Sequence, residues 1–336
     1  MDYQKLPKVD LHRHLEGSLR LATMLDIARA HGITVPINTT RLRHLVQVQD
    51  GEPLTYQNFL AKFANLRMFY RSPEVILRVT REAVEDAAND NVRYLELRFT
   101  PVALSRAERF PLADVIDWVC ESAIETAEKY NVMLRLIASV NRNESPELAE
   151  QVAWLSADRI GKGVVGLDLA GNEAEFPLQP FAGIFREAQQ SGLRITAHAG
   201  EWAGAESVRE ALKVLDAERI GHGGHILEDG TVVALARERG TTFEVCVTSN
   251  YQSGVVPSLE AHPLMRMMEA GLNITLGTDD PSILQINLSH EYRQACERLG
   301  MTIQALKERI LAAAQATFLP QAEKYKLYAR LMRELK

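Results

Sequence analysis

The sequence predicts an α/β protein, a (β/α)8 TIM-type barrel with extra N-terminal and C-terminal helices. Three observations carry that expectation. Eight short apolar runs alternate with helix-length amphipathic stretches along the chain, the pattern of repeated βα units. Several runs, VVGLDL and FEVCV among them, are short and β-branched, as strands of a parallel sheet covered on both faces tend to be. Chemistry-bearing residues gather at the C-terminal ends of the runs, the end of a barrel where sites form. A doubly wound open sheet is the alternative architecture.

The first run, Lys8-Val9-Asp10-Leu11, leads straight into His12-Arg13-His14. Residues two apart on a strand share a face, so both imidazoles point to one side, a geometry suited to a shared divalent metal. Ser18–Ala30 reads as a helix from the spacing of Leu19, Leu21, Leu25, Ile27 and Ala28, with Gly32 ending it. Residues 33–55, with Pro36, Asn38 and Pro53, are expected as an excursion before the next strand. A helix begins at Tyr56 and carries Phe59, Leu60 and Phe63, suited either to a helix core or to an apolar lid beside a pocket.

The remaining strands are expected at Val92–Phe99, Met133–Val140, Val164–Leu169, Arg194–His198, Arg219–His222, Thr242–Thr248 and Asn273–Thr278. Helices fall before them at Val75–Asn89, Leu112–Tyr130, Glu147–Ala157, Gln179–Gln190, Ala205–Leu215, Gly230–Arg239 and Pro263–Ala270. Further helices from about Ser289 close the chain.

Composition narrows the function classes. With 336 residues, 46% apolar and 24% charged, the chain can bury a sizeable core, and residues 1–336 read as one domain without repeat, low-complexity tract or linker. The net charge is −6 and no basic cluster stands out, which argues against a nucleic-acid or anionic-membrane partner. Cys120, Cys246 and Cys296 are odd in number and far apart, so neither a disulfide framework nor a CxxC zinc pair is expected. The opening MDYQKLPKVD has no apolar h-region and no stretch approaches a membrane span. A cytoplasmic protein is the expectation.

The strand ends hold the candidate site. The first presents His12 and His14, the fourth Asp168-Leu169-Ala170-Gly171, and the fifth His198-Ala199-Gly200-Glu201. The sixth presents His222, the seventh Thr248-Ser249-Asn250, and the eighth Thr278-Asp279-Asp280-Pro281. One histidine at a strand end means little. Four of nine histidines at such ends, joined by an aspartate at the last, point to a metal hydrolase.

HRHLEGS, FLAKF, DLAGNE, HAGE, ERIGHG, TSN and TDDP, in this order, resemble the adenosine deaminase family of metal-dependent amidohydrolases over essentially the whole chain. The resemblance implies a (β/α)8 barrel, one Zn²⁺ per chain and hydrolytic deamination at C6 of a 6-aminopurine. It implies His12, His14, His198 and Asp279 as zinc ligands, Glu201 as proton donor, and His222 as the histidine that orients the attacking water. Gly171, through its N–H, and Asp280, through its carboxylate, match purine-binding positions; His14 and Glu16 also match substrate-binding positions, Glu16 near the ribose hydroxyls. His225 matches no active-site position and is expected to be structural; His31, His44, His262 and His290 receive no catalytic role. Trp202 is either barrel-to-helix packing or a wall of the pocket.

The expected partner is a small-molecule purine nucleoside, adenosine or 2′-deoxyadenosine; the oligomeric state is unknown. Glu16 stands where animal members carry Asp, so adenine, aminodeoxyfutalosine and N6-substituted AMP are alternative substrates. Two further alternatives are an inactive metal-binding barrel and an amidohydrolase acting on an amide or ester.

Overall fold

The computed structural model describes residues 1–36 and 39–336; Asn38 of the excursion lies outside the described residues. Eight strands form one parallel sheet in sequential order, which excludes the doubly wound alternative, whose strand order reverses. They are β1 (Lys8–His14), β2 (Val92–Phe99), β3 (Met133–Asn141) and β4 (Val164–Ala170), followed by β5 (Arg194–Ala199), β6 (Arg219–His222), β7 (Thr242–Val245) and β8 (Asn273–Leu276). Beyond β8 the chain returns to β1. The Asp279 N–H donates to the His12 carbonyl at 2.7 Å, and the Asp279 carbonyl accepts from the His14 N–H at 2.8 Å. A parallel bridge between Arg13 and Asp279 thus joins the two ends of the sheet.

The crossover helices form where capping and periodicity agree. In the helix Pro73–Asn89, the Ser72 hydroxyl caps the Val75 N–H and a proline opens the first turn, where its missing donor is harmless. Val75, Ile76, Val79, Ala83, Val84 and Ala87 then lie buried along one stripe. The next crossover, Leu112–Tyr130, ends at Asn131 in the left-handed region with φ 54°, a conformation asparagine tolerates.

Several local expectations change, among them the eighth strand, which ends at Leu276 rather than Thr278. The seventh strand stops at Val245, and Thr248-Ser249-Asn250 sits in a short helix, Val247–Gln252; the apolar run FEVCV masks the switch because it suits either state. The excursion contains a helix, Thr39–Val46, burying only Leu42 and Val46, too little periodicity to be read from sequence. The first helix begins at Leu21, because Glu16–Ser18 forms a separate 3₁₀ turn.

Two helices, Ile303–Ala316 and Gln321–Glu334, follow the barrel, and the link between them covers its N-terminal end. The Phe318 N–H donates to Glu96 at 2.7 Å, and the Phe318 ring lies 3.6 Å from the Arg219 guanidinium. From this plug a buried charge ladder climbs the barrel interior. Arg219 meets Glu96 at 2.5 Å and Glu244 at 2.6 Å; Arg98 pairs with Glu244 and reaches Asp168 at 3.2 Å. Removing one member of such a ladder leaves an unpaired buried charge, which costs about 3–5 kcal/mol. Among the described residues, no helix is long and apolar enough to cross a membrane.

Candidate active site

At the C-terminal mouth, β1 places His12 and His14 on its inner face, β5 adds His198, and the turn after β8 adds Asp279. His14 Nε2 lies 3.3 Å from His12 Nε2 and 3.2 Å from His198 Nε2. Asp279 Oδ1 lies 3.3 Å from the Nε2 atoms of both His12 and His14. Tetrahedral ligands at 2.0–2.1 Å from zinc stand about 3.3 Å apart, so the donor spacing fits such an ion. The tautomers fit as well. His12 Nδ1 faces Glu244 at 2.9 Å and His198 Nδ1 faces Asp168 at 3.1 Å. Carboxylates only accept, so each Nδ1 carries the proton and each Nε2 turns a lone pair inward. Lone pairs converging on one point repel unless a cation lies between them.

The top of the charge ladder is therefore the layer that orients two of the candidate ligands. Sequence reasoning missed Glu244 and Arg98. The available signal was charged residues alternating with apolar ones in VRYLELRF and a lone glutamate in TFEV.

Backbone geometry aims the remaining groups. His222 and Asp279 both occupy the left-handed region, with φ 64° and 58°, unusual for residues other than glycine and common at functional sites. Gly17 leaves room for Asp280: a Cβ on it would fall 1.7 Å from Asp280 Oδ1. This explains the glycine in HLEGS.

Glu201 is buried beside His222, its Oε1 3.6 Å from His222 Nε2. Burial pushes its pKa well above the usual carboxylate range, and the neighbouring Asp279 and Glu173 add to the rise, which favours the protonated acid. Asp280 is raised in the same way, by burial first and then by Asp279 and Glu16. Burial lowers the His222 pKa well below that of free imidazole.

Glu173, the last residue of DLAGNE, was not singled out in the sequence. Its carboxylate accepts from the N–H groups of Gly200 at 2.6 Å, Glu201 at 2.9 Å, Trp202 at 2.9 Å and Ala203 at 3.3 Å, and from the Ser207 hydroxyl. It moulds the turn that carries Glu201. Ser249, from TSN, donates to Asp279 Oδ2 at 2.6 Å.

These groups open into a cavity of about 310 Å³, large enough for a small ligand. Gly171, Glu16, Asp280 and Glu201 line it, and Phe59, Leu60 and Phe63 form its apolar side. Of the two readings of those aromatics, the structure supports the lid, although Phe59 is also buried in the core. Trp202 is a wall of the cavity, 5.7 Å from Tyr56 and 6.4 Å from Phe59 between ring centres. Glu16 accepts the Thr100 N–H at 2.7 Å through Oε1, while Oε2 is buried without a partner among the described residues. His225 lies outside this cluster, its Nδ1 2.8 Å from Glu228. His262, given no role from sequence, is buried behind His222.

Comparison with known proteins places the chain among related deaminases and amidohydrolases. The sequence profile described as "Adenosine deaminase" matches residues 7–334. An adenosine deaminase of Erwinia tasmaniensis is 37% identical over 329 residues, covering 97% of this chain and 98% of its own. The crystal structure of an adenine deaminase from Arthrobacter aurescens superposes with a TM-score of 0.89 at 27% identity, covering 98% of both chains. An amidohydrolase of Burkholderia ambifaria, solved with bound Zn, gives a TM-score of 0.90 at 27% identity, covering 99% of this chain and 91% of its own. The chain belongs to the adenosine deaminase family.

Proposed function

We propose that this chain is a zinc-dependent hydrolase converting adenosine and 2′-deoxyadenosine to inosine and 2′-deoxyinosine with release of ammonia. One observation carries the reading: four donor atoms at ion-binding spacing share a cavity with a buried carboxyl group whose pKa is raised well above the usual range. The zinc found in the Burkholderia ambifaria relative supports the choice of metal.

In this reading His12, His14, His198 and Asp279 hold the metal, which when bound makes water a competent nucleophile near neutral pH. The residues of the chain supply the rest. Glu201 donates its proton to N1 of the purine, because attack at C6 pushes electron density there. Asp280, also protonated, donates to N7, an acceptor. The Gly171 N–H binds the base, and His222 orients the attacking water. With C6 at the donor cluster, the sugar lies toward Glu16, whose free Oε2 accepts from a ribose hydroxyl. Phe59, Leu60 and Phe63 exclude solvent, which strengthens each of these interactions.

Two measurements test this. Zinc-loaded protein is offered adenosine, 2′-deoxyadenosine, adenine, AMP and aminodeoxyfutalosine, and loss of the 6-aminopurine absorbance is followed. Adenosine and 2′-deoxyadenosine are expected to have the highest kcat/KM; no turnover of any aminopurine sinks the reading. Glu16→Ala is then expected to raise KM for adenosine by about tenfold or more, the scale of a lost hydrogen bond to a buried carboxylate, with a smaller effect on adenine. Equal effects on adenosine and adenine remove Glu16 from the sugar.

A further inference from the structure

Behind His222 lies a chain of hydrogen bonds whose direction is determined. The Leu264 N–H donates to His262 Nδ1 at 3.0 Å. On the far side of the same ring, His262 Nε2 is 3.1 Å from Asn250 Oδ1. Asn250 Nδ2 in turn is 3.0 Å from His222 Nδ1. All three side chains are buried, with 6%, 1% and 1% exposure for His262, Asn250 and His222.

The two ends of an asparagine amide are alike in shape, so its orientation has to be argued from its partners. Exchanging them would set an N–H donor against His262 Nε2 while Leu264 already donates to Nδ1. A neutral imidazole has one acceptor and an imidazolium has none, so no protonation state of His262 accommodates both donors. Only one direction remains. His262 carries its proton on Nε2 and donates to Asn250 Oδ1; Asn250 Nδ2 donates to His222 Nδ1. Burial agrees with a neutral ring, pushing the His262 pKa down to about 3, with Arg266 adding to the effect.

We propose that His262 and Asn250 are positioning residues that hold His222 in the tautomer with its proton on Nε2, turning an N–H toward the reacting centre. Among the described residues, Nε2 has no hydrogen-bond partner of its own. It stands 3.6 Å from Glu201 Oε1 and 3.8 Å from Asp279 Oδ2, beyond hydrogen-bond reach of both. In that tautomer His222 donates to the oxygen of the attacking water and cannot take a proton at Nε2. The water's proton then passes to Asp279, a carboxylate whose Oδ2 lies 3.8 Å from His222 Nε2. This consequence for the chemistry rests on the hydrolase reading; the tautomer itself does not. The main-chain N–H that sets it belongs to Leu264, at the start of the helix Leu264–Glu269.

Asn250→Asp tests the relay with almost no change in shape. A carboxylate only accepts, so it keeps the bond from His262 and draws a proton onto His222 Nδ1, stripping Nε2. The readout is the ¹⁵N–¹H ring spectrum of zinc-loaded protein labelled at histidine, with His222 assigned by its loss in His222→Gln. The parent is expected to show a protonated Nε2 and a bare Nδ1 at His222, and Asn250→Asp the inverse. In Asn250→Asp, kcat for adenosine is expected to fall at least about tenfold with little change in KM; a wrong histidine tautomer costs about 10⁴-fold in a serine protease triad. Asn250→Ala removes the donor without imposing the other tautomer and is expected to lose less. A proton on His222 Nδ1 in the parent overturns the proposal, as does a parent-like spectrum in Asn250→Asp. Equal kcat losses in the two variants with the spectrum unchanged mark a merely structural asparagine. If Asn250→Asp does not fold, the parent spectrum alone decides. If no aminopurine is turned over, the hydrolase reading fails while the spectra still decide the relay.

Discussion

Glu201→Gln is expected to lose about 10²–10⁴-fold in kcat, the contribution of a positioned general acid, while keeping its metal and its fold. The physical basis is the protonation state. Burial, with Asp279 and Glu173 adding to it, raises the Glu201 pKa well above the usual carboxylate range. Glutamine is the neutral counterpart of that protonated acid, so the four N–H groups gathered on Glu173 still hold the turn. What glutamine lacks is a proton to give to N1. The pH dependence has a definite sign: an acid works below its pKa, so the parent's kcat/KM falls as pH rises through the raised value. That alkaline limb is expected to vanish from the residual activity of the variant. Steady-state kinetics across pH, with metal content measured on the same samples, check both points. Near-parental turnover in Glu201→Gln removes Glu201 from the proton-donor role.

Asp279→Ala is expected to lose metal and activity together. The carboxylate meets the Nε2 atoms of His12 and His14 through Oδ1 at 3.3 Å and accepts the Ser249 hydroxyl through Oδ2. Among the described residues no other carboxylate belongs to this donor group, so alanine leaves three neutral imidazoles facing a divalent ion without an anion. Loss of an outer-layer partner of a ligand already costs about 10–100-fold in metal affinity or activity, and loss of a ligand is expected to exceed that. Elemental analysis of purified protein reads the metal directly. A second readout is independent of catalysis: a ligand that binds only the folded state stabilises by RT ln(1 + [L]/Kd), so the rise in Tm on adding zinc is expected to shrink in the variant. Full metal occupancy in Asp279→Ala sinks its assignment as a ligand.

The two variants separate the two halves of the site. One keeps the metal and loses the acid; the other loses the metal and keeps the acid side chain. If both behave alike, the donor cluster and the acid do not act as distinct parts.

Much of this was legible in the sequence because it is local. The bounds of Val92–Phe99, Arg219–His222, Leu112–Tyr130 and Gly230–Arg239 agree with the structure, since periodicity and end signals act within a few residues. The strand ends were legible for the same reason, and a barrel brings its C-terminal strand ends to one mouth. Local pattern failed where neighbouring states compete. Cys246-Val247-Thr248 suits a strand as well as a helix, and the chain turns helical because Thr248, Ser249 and Asn250 find partners in Glu291, Asp279, His222 and His262.

By itself, then, the sequence determined the alternation of strands and helices, the residues that crowd one mouth, and through its motifs the family. The tertiary structure alone decided which group answers which. Glu244 meets His12 and Arg98 across 232 and 146 residues, and Glu173 holds a turn 27 to 34 residues away. His262, unremarkable as one of nine histidines, reaches His222 through Asn250. Such pairings depend on barrel closure, which brings distant strands within hydrogen-bond reach. Hydrogen-bond direction, protonation and tautomer are then set by those neighbours in a buried, low-dielectric space, where each donor and acceptor must find a partner.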